Sequence, residues 1–295
     1  MRGKASNRED MASEIRQISR RLLDAGEVDT VIGYEIEVEG DVCPIFIDRP
    51  EEAERLVWSE QCVHNLTTYL KKPVTKEGRR VAVISKGCDV RSIIALMQEG
   101  QIVREDVVII GVDCSGQKDE DGNLRLKCRN CRDHRPQLHD FLVVDAEVDV
   151  RGLDVEGAGY SDVEALEEMP VEARLAFWKE EAEKCIRCYA CREVCPLCYC
   201  VECLTDQNIP QYLPSTPSIQ GNFLWLMMRA FDLAGRCTGC MECDRVCPVH
   251  IPLHLLNRKL VKDVDALFGY EAGRNPSDRP PLSVFSEEDP DEVIM

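Results

Sequence analysis

The chain carries the same cysteine pattern, C-x-x-C-x-x-C-x-x-x-C-P, twice. The first copy comprises Cys185, Cys188, Cys191, Cys195 and Pro196, and the second comprises Cys237, Cys240, Cys243, Cys247 and Pro248. Three thiolates at this spacing bind one [4Fe–4S] cube, and where two copies occur the fourth cysteine of each ligates the other cube. The pattern therefore predicts two [4Fe–4S] clusters whose ligands are exchanged between the motifs.

This exchange assigns Cys185, Cys188, Cys191 and Cys247 to the first cluster and Cys237, Cys240, Cys243 and Cys195 to the second. Zinc is the alternative, because it also binds four cysteines at two-residue spacing. The repetition of all eight cysteines with both prolines favours iron. A disulfide framework fits less well, since seventeen cysteines is an odd number and the first residues contain no apolar secretory segment.

Composition predicts a cytoplasmic protein that binds neither nucleic acid nor membrane. The 54 acidic and 36 basic side chains give a net charge of −18, which repels nucleic acid and anionic lipid. No apolar stretch approaches the roughly 20 residues that a membrane-spanning helix needs. We therefore expect protein subunits as partners.

The chain up to about residue 150 alternates between helical and strand patterns. Apolar residues at helical spacing (Met11, Ile15, Ile18, Leu22) predict an opening helix that ends at Gly26. Short apolar runs predict strands at Val31–Ile36, Pro44–Ile47, Val81–Ser85, Val107–Val112 and Phe141–Val148. Helices are expected at Glu51–Leu70 and Val90–Gln98. This order is typical of an α/β domain with a mostly parallel sheet, which we assign to residues 1–150.

Four further cysteines lie at or beyond the ends of the predicted parallel strands. Cys88 and Cys114 each follow a strand, and Cys128 and Cys131 have the two-residue spacing of metal ligands. Since functional groups collect at the carboxyl ends of parallel strands, these four could hold a third [4Fe–4S] cluster. Two alternatives stay open. One is a zinc site formed by Cys128 and Cys131 with His134 or His139, and in the other Cys88 and Cys114 are simply small buried residues.

At these residues the chain resembles the β-subunit family of coenzyme F420 hydrogenases and dehydrogenases. The likeness rests on Lys86–Asp89, Gly111–Gly116 and Cys128–Cys131, and it extends to Glu27–Tyr34. The branch containing the β subunit of F420-linked formate dehydrogenase is also similar over Lys184–Cys198.

The resemblance implies an electron-relay subunit beside a catalytic partner, in many members with a flavin that exchanges hydride with the deazaflavin. Larger relatives have a long flavin and deazaflavin domain, whereas only a short stretch separates Cys131 from Cys185 here. The sequence also lacks a Gly-x-Gly-x-x-Gly phosphate loop. Bound FAD is therefore an alternative and not part of the main prediction.

The second half is expected to be mainly helical, with a linker over residues 151–170 and a cluster domain over 171–270. The long insertion between Cys195 and Cys237 resembles the helical ferredoxins of succinate dehydrogenase and heterodisulfide reductase. Residues 271–295 are expected to form an acidic tail. Cys198, Cys200 and Cys203 are candidates for a fourth [4Fe–4S] cluster, with a last ligand from Cys43, Cys62 or another chain.

Full cysteine ligation leaves no open iron, and no nucleophile–base pair is evident near the motifs. We therefore expect an electron-transfer subunit of a multi-subunit oxidoreductase and not a stand-alone catalyst. The resemblance suggests as partner a formate dehydrogenase or hydrogenase catalytic subunit, or a heterodisulfide-reductase-like flavoprotein. The alternatives are a flavoprotein that itself oxidises or reduces F420 or a nicotinamide, and a zinc-binding adaptor.

Overall fold

The computed structural model divides the chain into two compact units, residues 1–158 and 159–295. It describes residues 4–71, 78–129, 131–153, 159–214, 216–287 and 289. No helix within these ranges is long and apolar enough to cross a bilayer. The first unit is built on a sheet, and the second consists of helices that bracket the cysteine loops.

One mostly parallel sheet organises the described part of the first unit. Its strands are β1 (Thr30–Ile36), β2 (Val42–Ile47), β3 (Val81–Ser85), β4 (Val107–Val112) and β5 (Phe141–Val143). They lie in the order β2-β1-β3-β4-β5; β2 is antiparallel to β1, and each of the other neighbouring pairs is parallel. The predicted α/β fold with a mostly parallel sheet is confirmed.

Helices cover this sheet. They are α1 (Lys4–Asp24), α2 (Gly87–Gln98) and the short α3 (Leu126–Arg129). Every residue of β3 and β4 is buried, as expected for parallel strands covered on both faces. Helix α1 buries Met11, Ile15 and Leu22, and the chain leaves it through Gly26, whose φ of +64° suits glycine.

The predicted helix Glu51–Leu70 is wrong. The structure has a 3₁₀ turn at Pro50–Arg55 and another at Leu66–Tyr69, joined by an irregular segment. Its apolar residues are buried, but its backbone bonds to other elements: the Val57 N–H donates to the carbonyl of Tyr34 in β1 at 2.9 Å. The apolar spacing therefore reflects a loop that packs on the sheet.

The last strand is shorter than expected, since it ends at Val143 and not at Val148. The carboxylate of Asp145 accepts hydrogen bonds from the backbone N–H groups of Glu147 (3.0 Å) and Val148 (3.2 Å). Such a side-chain acceptor stabilises a turn in place of an extended strand.

The second unit is mainly helical, as predicted. Its helices are α4 (Ser161–Glu167), α5 (Val171–Lys184), α6 (Ala190–Glu193), α7 (Ile219–Asp232), α8 (Glu242–Arg245) and α9 (Leu253–Phe268). Helix α7 packs against both α5 and α9. Helix α4, which lies within the segment expected to be a linker, packs on α9 through ion pairs of Glu167 with Lys259 (2.8 Å) and Lys262 (2.6 Å). Residues 288 and 290–295 of the expected acidic tail lie outside the described residues.

Candidate iron–sulfur centres

The two cysteine motifs follow the same backbone path. In the first motif the residues two and four positions after the first cysteine, Arg187 and Tyr189, have φ values of 57° and 59°. The equivalent residues of the second motif, Gly239 and Met241, have φ values of 71° and 54°. Left-handed backbone outside glycine is strained and clusters at functional sites. A short helix, α6 or α8, begins directly after each loop, and the two short helices contact each other.

A cavity with about 340 Å³ of empty space, hereafter the first cavity, lies between the first motif and the end of the second. Four of its lining residues are Cys185, Cys188, Cys191 and Cys247. The remaining wall is mostly apolar: Ile186, Tyr189, Trp225, Leu226, Pro248, Val249, Ile251 and Leu253. Three cysteines of one motif and the last cysteine of the other therefore face one cavity.

The second cavity has the reciprocal set of cysteines. It contains about 420 Å³ of empty space, and its cysteines are Cys195, Cys237, Cys240 and Cys243. Its other walls include Leu197, Leu233, Thr238, Gly239, Met241, Arg229, His254, Asn257 and Arg258. The structure thus brings together the eight cysteines in the two sets that the exchange rule predicted.

The donor set of these cavities fits a cluster, since each has four cysteine thiols and otherwise mostly apolar walls. Four sulfurs bonded to one zinc at about 2.3 Å would touch one another and leave no cavity between them. Here the four cysteines of each set line a cavity together. Within the described ranges, no three His, Cys, Asp or Glu side chains approach closely enough to hold a single metal ion.

Burial keeps several of these thiols protonated when no metal is bound. It raises the pKa of Cys191 to about 11 and raises the pKa of Cys185, Cys240 and Cys243 above their ordinary value. Metal ligation requires the thiolate, so cluster binding at these sites would release protons.

Buried Asn222 of α7 fixes the first motif to the helices. Its Nδ2 donates to the carbonyls of Ala182 (3.0 Å) and Cys185 (2.8 Å), and its Oδ1 accepts from the guanidinium Nε of Arg187 at 2.8 Å. These hydrogen bonds hold the backbone of Cys185 against α7. Sequence reasoning missed Asn222, since an asparagine in an apolar helix has no motif of its own.

The four sheet-rim cysteines also come together. Cys88 follows β3 and Cys114 follows β4, while Cys128 lies in α3 and Cys131 lies just after it. Gln117 links two of them: its backbone N–H donates to Cys128 Sγ and its side-chain Nε2 to Cys114 Sγ, both at 3.3 Å. Cys131 lies close enough to Cys88, Cys114 and Cys128 for a charge on one to affect the titration of the other. Burial raises the pKa of Cys131 to about 12.

The two histidines near this rim bond to backbone. The Nδ1 atom of buried His134 lies 2.7 Å from the carbonyl of Cys114, and that of His139 lies 3.1 Å from the carbonyl of Pro136. These contacts give both rings a structural role in the loop that returns to β5.

A fully buried ion pair lies beside the rim cysteines. Lys86 Nζ is 2.8 Å from the carboxylate of Asp89, and neither side chain is more than 1% exposed. The same ammonium donates to Tyr34 Oη (2.5 Å) and to the carbonyls of Cys62 (3.0 Å) and His64 (2.9 Å). In the sequence, Lys86 and Asp89 were part of the segment that carries the family resemblance, but no role was predicted for them. Their three-residue spacing at the start of a helix could have indicated an ion pair.

Cys198, Cys200 and Cys203 have other surroundings. Cys200 is exposed, Cys198 and Cys203 are half-buried, and none of the three lines either cavity. Cys203 packs against the apolar residues around the first cavity. The suggested extra ligands Cys43 and Cys62 belong to the first unit.

Comparison with known proteins agrees with the cysteine geometry. Residues 180–251 match the 4Fe–4S dicluster domain family. This segment contains both motifs, both cavities' cysteines and helix α7.

Two proteins with similarity over most of the chain are formate dehydrogenase subunits. The F420-dependent formate dehydrogenase subunit beta of Methanocaldococcus jannaschii is 25% identical over 370 residues, covering 93% of this chain and 95% of the relative. The F420-dependent formate dehydrogenase 1 subunit beta of Methanococcus maripaludis is 23% identical over 284 residues, covering 64% of this chain and 72% of the relative. These matches confirm the predicted resemblance. They also confirm the prediction of an iron–sulfur electron-transfer subunit of an oxidoreductase.

Proposed function

We propose that this chain is the electron-transfer subunit of an oxidoreductase complex and that it holds a [4Fe–4S] cluster in each cavity. The observation that carries the proposal is the division of the eight motif cysteines, three from one motif and one from the other at each cavity. A [4Fe–4S] cluster ligated in this way takes up and releases one electron without opening a site for substrate.

The proposed ligands of the first cluster are Cys185, Cys188, Cys191 and Cys247, and those of the second are Cys237, Cys240, Cys243 and Cys195. The residues around them limit access of water. Trp225 and Leu226 are 4% and 2% exposed and line the first cavity, while Leu233, 3% exposed, lines the second. Solvent exposure and hydrogen bonds to the sulfurs are among the factors that set the reduction potential of such a cluster.

We propose a third [4Fe–4S] cluster at the sheet rim, held by Cys88, Cys114, Cys128 and Cys131. The proposal is supported by the shared contacts of Gln117 and by the electrostatic proximity of the four thiols. Residues 1–158 would then carry one redox centre and residues 159–295 two.

The named relatives suggest the partner. Both are β subunits of F420-dependent formate dehydrogenases, so we propose that this chain exchanges electrons with the catalytic subunit of a formate dehydrogenase or a similar enzyme. A strongly acidic chain, with a net charge of −18, would bind such a partner through a basic surface.

The test is to measure iron, acid-labile sulfide, flavin and electrons accepted per chain in anaerobically purified protein. We expect about twelve irons and about three electrons, without flavin. About eight irons would remove the rim cluster, and about sixteen would bring in Cys198, Cys200 and Cys203. Stoichiometric FAD with reduction of F420 by the isolated chain would favour the enzyme alternative, and colourless protein with zinc would contradict the whole proposal.

A further inference from the structure

A single buried arginine contacts the walls of both cavities. Arg229 lies in the last turn of α7, is 4% exposed and lines the second cavity. Its Nη2 donates at 2.9 Å to the carbonyl of Cys191, which lines the first cavity. The guanidinium is therefore held in place by one ligand loop while it faces the cavity of the other cluster.

One of the five N–H donors of this guanidinium has no acceptor. The Nε atom of Arg229 is buried and makes no hydrogen bond within the described residues. Buried donors in proteins almost always have a partner. Asn257 extends its Nδ2 toward Cys243 Sγ at 3.6 Å in the same cavity, so two polar donors lie along one wall.

The charge of Arg229 is not neutralised locally. The acids near the second cavity pair with other cations: Glu242 with Arg245 at 2.8 Å, Asp162 with Arg258 at 2.9 Å, and Asp244 with His254. Within the part of the chain that the structure describes, no carboxylate forms an ion pair with Arg229. Arg229 therefore places a positive charge in the wall of a cavity that four cysteines line.

We propose that Arg229 donates its Nε–H to a sulfur of the cluster in the second cavity and thereby raises the reduction potential of that cluster. The proposal rests on the proposed function, because it requires the cavity to hold a cluster. The reduced cluster has one more negative charge than the oxidised one, so a fixed cation and a charge-assisted hydrogen bond stabilise it more. Arg229 is thus a positioning residue that sets the energy of one step of the relay.

The test compares Arg229→Met, Arg229→Lys and wild type by a redox titration followed by electron paramagnetic resonance. Iron and sulfide are counted in each preparation, and the signal of the second cluster is identified by its change in Cys240→Ser. In Arg229→Met we expect a lower midpoint potential for the second cluster. At a fixed applied potential, the ratio of reduced to oxidised cluster should be about tenfold smaller than in wild type, as expected for the loss of one charge-assisted hydrogen bond. A tenfold change corresponds to a shift of about 59 mV. Arg229→Lys keeps the charge but loses Nε, so its potential should fall less.

Arg279→Met is the matched control, since Arg279 is exposed in the same unit, and its potentials should equal those of wild type. An unchanged midpoint in fully loaded Arg229→Met overturns the inference and leaves the proposed function intact. If Arg229→Met fails to bind its clusters, Arg229→Lys decides, and a wild-type potential there overturns the inference. Wild-type protein without iron would instead refute the proposed function itself.

Discussion

Lys86 and Asp89 form an ion pair that water does not reach. Replacement of Lys86 by methionine leaves the Asp89 carboxylate buried without a counter-charge, which costs about 3–5 kcal/mol. The free energy of unfolding from urea titrations should fall by that amount in Lys86→Met. Lys118→Met is the control, because the partly exposed pair of Lys118 with Glu60 should contribute about 1 kcal/mol or less. Equal losses in the two variants would contradict this account.

The same pair gives a pH dependence. Burial alone would lower the pKa of Lys86, but the nearby Asp89 carboxylate raises it above its ordinary value of 10.5. From neutral pH up to 10.5 the ion pair therefore contributes fully, and its contribution is lost as the pH rises above 10.5 toward the raised pKa of Lys86. The difference in unfolding free energy between wild type and Lys86→Met should be constant between neutral pH and 10.5 and shrink above it. A difference that grows with alkaline pH would argue against it.

Gly87 lies where helix α2 meets the loop that carries Cys131. A Cβ on this residue would lie 2.1 Å from the backbone oxygen of Asp133, so Gly87→Ala must displace that loop. We expect the variant to lose the rim cluster, about four irons per chain, and to keep the others.

Gly122→Ala serves as the control for this change. Gly122 has a φ of +81° and open space around its Cβ position, so alanine there adds only backbone strain of about 1–2 kcal/mol. Its iron content should match that of wild type. Full iron content in Gly87→Ala would refute the placement of a cluster at the rim.

Helix α7 supplies the main packing beside the first cavity. Trp225 is buried there and contacts Tyr189 edge to face, with 5.3 Å between ring centroids. Trp225→Ala should cost about 3–5 kcal/mol and hasten the loss of iron from the first cavity to a chelator. Phe231→Ala on the same helix removes a side chain that is 65% exposed and should change stability by less than about 0.5 kcal/mol. Similar chelation rates in the two variants would show that α7 does not protect the cavity.

Elements whose burial follows one simple pattern were predictable from the sequence. The expected strands Val81–Ser85 and Val107–Val112 coincide with β3 and β4, because both are continuous apolar runs buried on two faces. The region Glu51–Leu70 was not predictable, because its buried residues belong to two 3₁₀ turns and a loop that combine local hydrogen bonds with a bond from Val57 to β1. Local spacing does not distinguish that case from a helix.

The residues of the candidate centres also differ in how far the sequence predicts them. The cysteines were visible because ligand spacing is encoded within short segments. Arg229 and Asn222 were not, since they come from a helix that lies outside both motifs in the sequence. An arginine within the apolar run 223–231 was the one available signal for Arg229.

At the level of the whole molecule, the chain distributes its candidate redox centres over two units. The sheet of residues 1–158 brings four cysteines to one rim, and the helices of 159–295 enclose two cavities with four cysteines each. In the second arrangement, a cluster shared between two distant motifs would also link the two halves of the helical unit covalently through iron.

Iron-edge anomalous diffraction from crystals of anaerobically purified protein would reveal which cysteines share each cluster. We expect iron density in both cavities, in one bonded to Cys185, Cys188, Cys191 and Cys247, and in the other to Cys195, Cys237, Cys240 and Cys243. Density in which either motif supplies all four ligands of one cluster, or zinc-edge signal in place of iron, would contradict it.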